Sequence, residues 1–108
     1  MKILCVCQHG ANRSVVLATL LKLEYGENDT LSCGVDRNSE ETLKLLCDWA
    51  DKVLVIDRYV LDRLTNLGLF REKKFRLLDV GGDRWGQQHN PELQQLFRDK
   101  LKEIKLND

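Results

Sequence analysis

Neither sign of charge is in surplus in this 108-residue chain: 17 Lys and Arg are met by 17 Asp and Glu. That balance gives no general pull toward nucleic acid or an anionic membrane, so neither is an expected partner, and any attraction for anions has to be local. Long apolar runs are lacking too. The longest falls far short of the ~20 residues a membrane span needs, and the first residues lead into a strand-like run rather than a secretory signal. A cytoplasmic location is expected. Cysteine is sparse, with only Cys5, Cys7, Cys33 and Cys47. A chain that is 43 % apolar can build a core without disulfide staples, so reduced thiols are the expectation. Spacing argues against zinc: Cys5-Val6-Cys7 lacks the usual gap of about two to four residues, and no second ligand pair follows. No metal or cofactor is expected. Repeats, low-complexity tracts and linkers are absent, and the length suits one domain over residues 1–108, expected to be monomeric.

What the chain does contain is Cys7-Gln8-His9-Gly10-Ala11-Asn12-Arg13-Ser14, set between the apolar run Ile3-Leu4-Cys5-Val6 and a helix-like run starting at Val15. The order strand, short polar loop, helix start puts a thiol where backbone amides converge, with Ser14 as the expected helix cap.

The rest of the chain alternates strand and helix signals. Strands are expected at residues 2–6, 30–33, 52–56 and 75–78, the first without polar alternation, as in a central parallel strand buried on both faces. A helix over residues 14–24 is apolar nearly all round except for Thr19 and Lys22, so it should be largely covered by the sheet. Ser39 caps a second helix whose Leu43, Leu46, Cys47 and Ala50 form one stripe. Asp57 caps a third, with Val60, Leu61, Leu64 and Leu67 inward and Gly68 as its stop. Asn90 and Pro91 open a fourth, with Leu93, Leu96, Phe97, Leu101 and Ile104 buried. This pattern is an α/β three-layer sandwich: a four-stranded parallel sheet in the order 2-1-3-4 with helices on both faces. The ligand crevice then lies at the carboxyl ends of the strands, between the first and third, where Cys7, Gly34, Asp57 and residues 79–83 gather.

The thiolate is the nucleophilic form of cysteine, and a helix N-terminus with a nearby cation favours it. Loop amides can form a nest for a dianion, Gly10 permits the inward turn, and Arg13 can hold two phosphoryl oxygens at once. Fixed donors of this kind stabilise phosphoryl transfer by position. The leaving oxygen needs a proton and the thiophosphate needs an activated water, tasks one carboxyl group can perform in turn. Asp83 or Asp79, in the glycine-rich stretch after the fourth strand, can supply it. Trp85 in the same stretch is either a wall for an aromatic substrate or packing under its own loop. Cys5 and Cys47 are read as core, Cys33 as nearer the crevice, and Arg37 and Arg58 as surface charge.

These residues resemble the low-molecular-weight protein tyrosine phosphatases over most of the chain. "KILCVCQHGANRSVVLA" is similar to that family's first strand, C-x5-R-S loop and first helix, and Ser32-Cys33-Gly34 to its Ser-Ala-Gly segment. Trp49-Ala50-Asp51 through Ile56-Asp57-Arg58 resembles its "WAD…VMD" strand, and Gly82-Asp83-Arg84-Trp85-Gly86 stands where the family carries its acid loop. The resemblance implies a phosphatase acting on protein phosphotyrosine or a small phosphomonoester. Cys7 is then the nucleophile, residues Gln8, His9, Gly10, Ala11, Asn12, Arg13 and Ser14 the phosphate cradle, Ser14 a support for the thiolate, and Asp83 the acid with Asp79 second. The loop departs from the family pattern in four places, one of them Ala11, which is smaller than the family's usual residue. His9 and Gly10 replace the usual Gly and Asn, and Asn12 stands where a second cysteine is common. Asn12-Arg13-Ser14 is similar instead to related phosphatases that act on phosphoserine. Arsenate reduction and a non-catalytic phosphate-binding module are the other readings of the same loop; the first needs a cysteine relay, and the second does not need Arg13.

Overall fold

The computed structural model describes residues 1–81 and 90–104. In chain order the elements are β1 (Ile3–Cys7), α1 (Arg13–Tyr25), β2 (Thr30–Gly34), α2 (Glu40–Trp49), β3 (Lys52–Val55), α3 (Arg58–Asn66), β4 (Phe75–Leu77) and α4 (Pro91–Glu103). The strands form one sheet in the order β2-β1-β3-β4, every neighbouring pair parallel, as the sequence predicts.

All five residues of β1 are buried because strands flank it on both sides and helices cover both faces. Side chains alternate across the sheet. Ile3, Cys5 and Cys7 join Leu54 and Ile56 under α1 and α4, against Leu17, Leu21, Leu93 and Phe97. Leu4 and Val6 join Val53 and Val55 under α2 and α3, against Leu43, Cys47, Val60 and Leu64. The register sets Cys7 opposite Gly34, so the end of β1 and the end of β2 open the same edge.

Local signals explain the helix limits. The Ser39 side chain accepts from the Thr42 N–H at 3.1 Å, and Glu40 and Glu41 occupy the positive first turn of α2. The Asn90 side chain accepts from the N–H groups of Glu92 at 2.9 Å and Leu93 at 3.3 Å, with Pro91 opening α4.

Three expectations need correction. Ser14 is not the cap of α1: Asn12 holds that position and Ser14 is inside the helix, because the loop closes two residues earlier than the polar run suggests. Leu23 is 80 % exposed, since it lies one turn beyond the exposed Thr19 on the same side of α1. In α3 only Val60 and Leu64 are fully buried, with Leu61 and Leu67 half-buried at the margin of the core, and in the same way Leu96 and Ile104 at α4 are half-buried beside Leu93, Phe97 and Leu101. Among the described residues no helix is long and apolar enough to cross a membrane.

Phe97, with no exposed surface, fills the space between α4 and the sheet. Phe97→Ala is expected to lower the unfolding free energy by about 3–5 kcal/mol, whereas Leu23→Ala should change it by less than about 0.5 kcal/mol. Urea unfolding of the two variants checks the contrast.

Candidate active site

Cys7 ends β1 with 2 % of its surface exposed, its side chain on the α1 side of the sheet. Its sulfur accepts from the Gly10 N–H at 3.0 Å and lies 3.1 Å from Ser14 Oγ. With the sulfur ionised, the Ser14 hydroxyl donates to it. A loop amide, a hydroxyl and the N-terminus of a 13-residue helix thus converge on one sulfur.

Two glycines make this loop geometry possible. Gly10 adopts φ +70°, the left-handed region, and turns the chain back toward Cys7. Gly34 is needed for space: a Cβ there would stand 2.3 Å from the carbonyl carbon of His9 and 2.4 Å from the Gly10 nitrogen. Both contacts are to backbone, so no side-chain rotation could relieve them. The ladder between β1 and β2 continues past the strand ends, with Val35 N–H donating to the Cys7 carbonyl at 3.0 Å and Asp36 N–H to the Gln8 carbonyl at 2.9 Å.

Arg13 is 1 % exposed and opens α1. One of its terminal nitrogens, Nη1, donates to Asp57 Oδ2 at 2.5 Å and to the Gly81 carbonyl at 2.8 Å. The other oxygen of Asp57 accepts from the Val60 N–H at 3.0 Å, so a single buried carboxylate caps α3 and holds the guanidinium. The sequence predicts Asp57 as a cap at the crevice edge but does not predict its hold on Arg13. Its place just beyond β3, at the switch point of the sheet, was the signal for the second role. Gly81 joins because residues 78–81 run along the end of β3, where Leu78 N–H donates to the Val55 carbonyl at 2.8 Å and Val80 N–H to the Ile56 carbonyl at 3.0 Å.

Of the remaining loop residues, His9 and Ala11 are exposed, and Gln8 and Asn12 are half-buried. Asp79 is exposed, with φ +54°, a conformation aspartate tolerates better than most residues. Asp83 and Trp85 lie outside the described residues. Arg37 and Arg58 are exposed, in keeping with surface charge.

All four cysteines are free. Burial pushes the Cys5 thiol well up, the Cys33 thiol up to about 12 and the Cys47 thiol up to about 11. Cys33 and Cys47 pack on the α2–α3 side of the sheet, the face opposite Cys7.

No protein-family model and no curated protein matches the sequence. Solved structures do match over nearly the whole chain. The tyrosine phosphatase Wzb from Escherichia coli K30, in complex with phosphate, superposes with a TM-score of 0.71 at 17 % identity, covering 94 % of each chain. A serine-substituted mutant of the YwlE arginine phosphatase, carrying a phosphorylated active-site serine, gives a TM-score of 0.70 at 21 % identity, covering 95 % of each chain. A low molecular weight protein tyrosine phosphatase from Bacillus subtilis gives 0.65 at 20 % identity, covering 95 % of this chain and 98 % of that one. The chain therefore has the fold of the low-molecular-weight protein tyrosine phosphatases, as its sequence resemblance implies.

Asp57→Asn keeps an oxygen to cap α3 but removes the carboxylate charge that faces the buried Arg13. A loss of about 3–5 kcal/mol in unfolding free energy is expected, and a loss below about 1 kcal/mol would show that the pair is not needed. An exposed thiol ionises near 9.0, whereas folded Cys33 and Cys47 keep their protons up to about 12 and about 11. Above pH ~9 the unfolded chain therefore binds fewer protons than the folded one, and stability falls as pH rises toward 11 to 12. Urea midpoints under reducing conditions should drop between pH 8 and 10, and less steeply in Cys33→Ala or Cys47→Ala.

Proposed function

We propose that the protein is a cysteine-dependent phosphatase, one domain over residues 1–108, that hydrolyses phosphomonoesters with protein phosphotyrosine as the leading substrate. The observation that carries this reading is the Cys7 sulfur held by the Gly10 amide and the Ser14 hydroxyl at the start of α1, beside the anchored Arg13. Cys7 attacks phosphorus and forms the thiophosphate. The amides of residues 8–14 and the Arg13 guanidinium hold the equatorial oxygens as charge spreads over them. Ser14 donates to the sulfur and steadies it as a nucleophile and later as a leaving group. Asp83 protonates the departing phenoxide and then takes a proton from the water that releases phosphate, with Asp79 as the second choice. Trp85 provides a wall for the aromatic ring. Each step uses the chain's own groups, without metal or cofactor.

Two features of the structural neighbours support the reading. Wzb is described in complex with phosphate, and the YwlE arginine phosphatase mutant carries its phosphoryl group on the active-site serine. An arsenate-reducing relay finds no support in Cys33 and Cys47, buried thiols on the opposite face of the sheet. The chemistry needs Cys7 reduced, which places the enzyme in a reducing cytoplasm, acting as a monomer on phosphorylated protein.

The purified protein is expected to hydrolyse p-nitrophenyl phosphate, to be inhibited by vanadate and to be indifferent to EDTA. Cys7→Ser should reduce turnover below detection, and full activity in that variant would overturn the proposal. Asp83→Asn should slow an alkyl phosphate about 10²–10⁴-fold. If that substitution is silent and Asp79→Asn has the effect, the acid is Asp79. A panel of phosphotyrosine, phosphoserine and phosphoarginine peptides assigns the preferred phospho-residue.

A further inference from the structure

The rim of the candidate site carries a cluster whose side chains take no part in the chemistry above. Asp36, two residues past Gly34, gathers three side-chain donors: Gln8 Nε2 at 3.0 Å, the Tyr59 hydroxyl at 2.8 Å and Arg63 Nη1 at 2.6 Å. Its own N–H donates to the Gln8 carbonyl at 2.9 Å. Gln8, the residue next to the nucleophile, is thus held at main chain and side chain by one partner. That partner is itself fixed. Tyr59 and Arg63 are one turn apart on α3, Arg63 Nη1 donates to the Tyr59 hydroxyl at 3.1 Å, and the guanidinium lies 6.0 Å from the ring centroid. The Tyr59, Gln8 and Arg63 contacts hold the Asp36 carboxyl below the usual carboxylate range, so the cluster persists as an anion with its donors.

The geometry points to Asp36 as a positioning residue that sets the phosphate-binding loop through Gln8, with Tyr59 and Arg63 transmitting the rigidity of α3. The loop needs an outer brace because it turns on a glycine. Its inner side rests on the Gly34 backbone, which fixes where Gly10 can lie. Its outer side is tied by Asp36. Releasing that tie lets residues 8–10 move relative to Cys7, and a displacement of ~1 Å near reacting atoms can lower a rate ~10²-fold. Tyr59 and Arg63 were not singled out by sequence pattern, since an exposed tyrosine and arginine one turn apart on a helix carry no motif.

The catalytic consequence rests on the phosphatase reading, so the test includes a readout that does not need turnover. Asp36→Ala, Gln8→Ala and the double variant are made in the full chain, with folding verified by circular dichroism. Hydrolysis of p-nitrophenyl phosphate and of a phosphotyrosine peptide is measured alongside orthovanadate affinity by calorimetry. Each single variant should lose about 10- to 100-fold in kcat/KM, by the same factor on both substrates, with vanadate affinity falling in parallel. The double variant should be no worse than the poorer single, because both remove one brace. Asp36→Asn, which still accepts from Gln8, should restore most of the loss seen with alanine. Losses that multiply in the double variant, unchanged vanadate affinity in Asp36→Ala, or a defect confined to the peptide would overturn the assignment; the last would make Asp36 a substrate contact. If the wild-type chain binds vanadate but hydrolyses neither substrate, the phosphatase reading fails and the affinity series alone judges Asp36. If it binds no vanadate, both fall.

Discussion

The buried pair of Arg13 and Asp57 is the contact on which the rest of the site depends. It joins the first residue of α1 to the cap of α3, two helices on opposite faces of the sheet, at the point where β1 and β3 part. Two charges removed from water are tolerated only with good geometry and further hydrogen bonds, and both are present. Asp57 uses its second oxygen on the Val60 amide, and Arg13 also donates to Gly81. The consequence is orientation. The guanidinium is placed by contacts that precede any ligand, so the loop that ends at Arg13 has one fixed end.

The other end of the loop is fixed by the sheet. Cys7 is the last residue of β1, and its partner across the ladder is Gly34, whose missing side chain leaves room for the backbone of His9 and Gly10. Between these ends the chain turns on Gly10 at positive φ and presents its amide to the Cys7 sulfur. Strand, glycine contact, left-handed turn and helix start together shape the candidate site from eight consecutive residues, Cys7 to Ser14. Asp36 adds a brace from outside. The site is therefore built by main chain more than by side chains, which suits a task of placing amides around an anion.

Much of this was legible in the sequence because the signals were local. The four strands, the caps Ser39, Asp57 and Asn90, and the strand order followed from periodicity and from the alternation of strand and helix. The contacts between distant residues were less accessible. Asp57 read as a cap because the Val60 amide is three residues away, whereas its partner Arg13 is 44 residues away. Asp36, Tyr59 and Arg63 meet only because α3 packs beside the loop after β2, a tertiary fact that no spacing encodes. Ser14 was placed as a cap by its type, and the fold gives that position to Asn12, freeing the hydroxyl for the sulfur. The fold came from pattern, the identity of the loop from motif, and its bracing only from packing.

If the proposed chemistry holds, the Cys7 sulfur itself becomes phosphorylated during turnover. A rapid-quench reaction of the wild-type protein with an aryl phosphate, followed by mass spectrometry of the peptide that contains Cys7, tests it directly. One phosphoryl group on Cys7 within the first turnover, absent when vanadate is added beforehand, is the expected result. Steady hydrolysis with no phosphorylated Cys7 at any quench time, or a phosphoryl group on another residue, would contradict it.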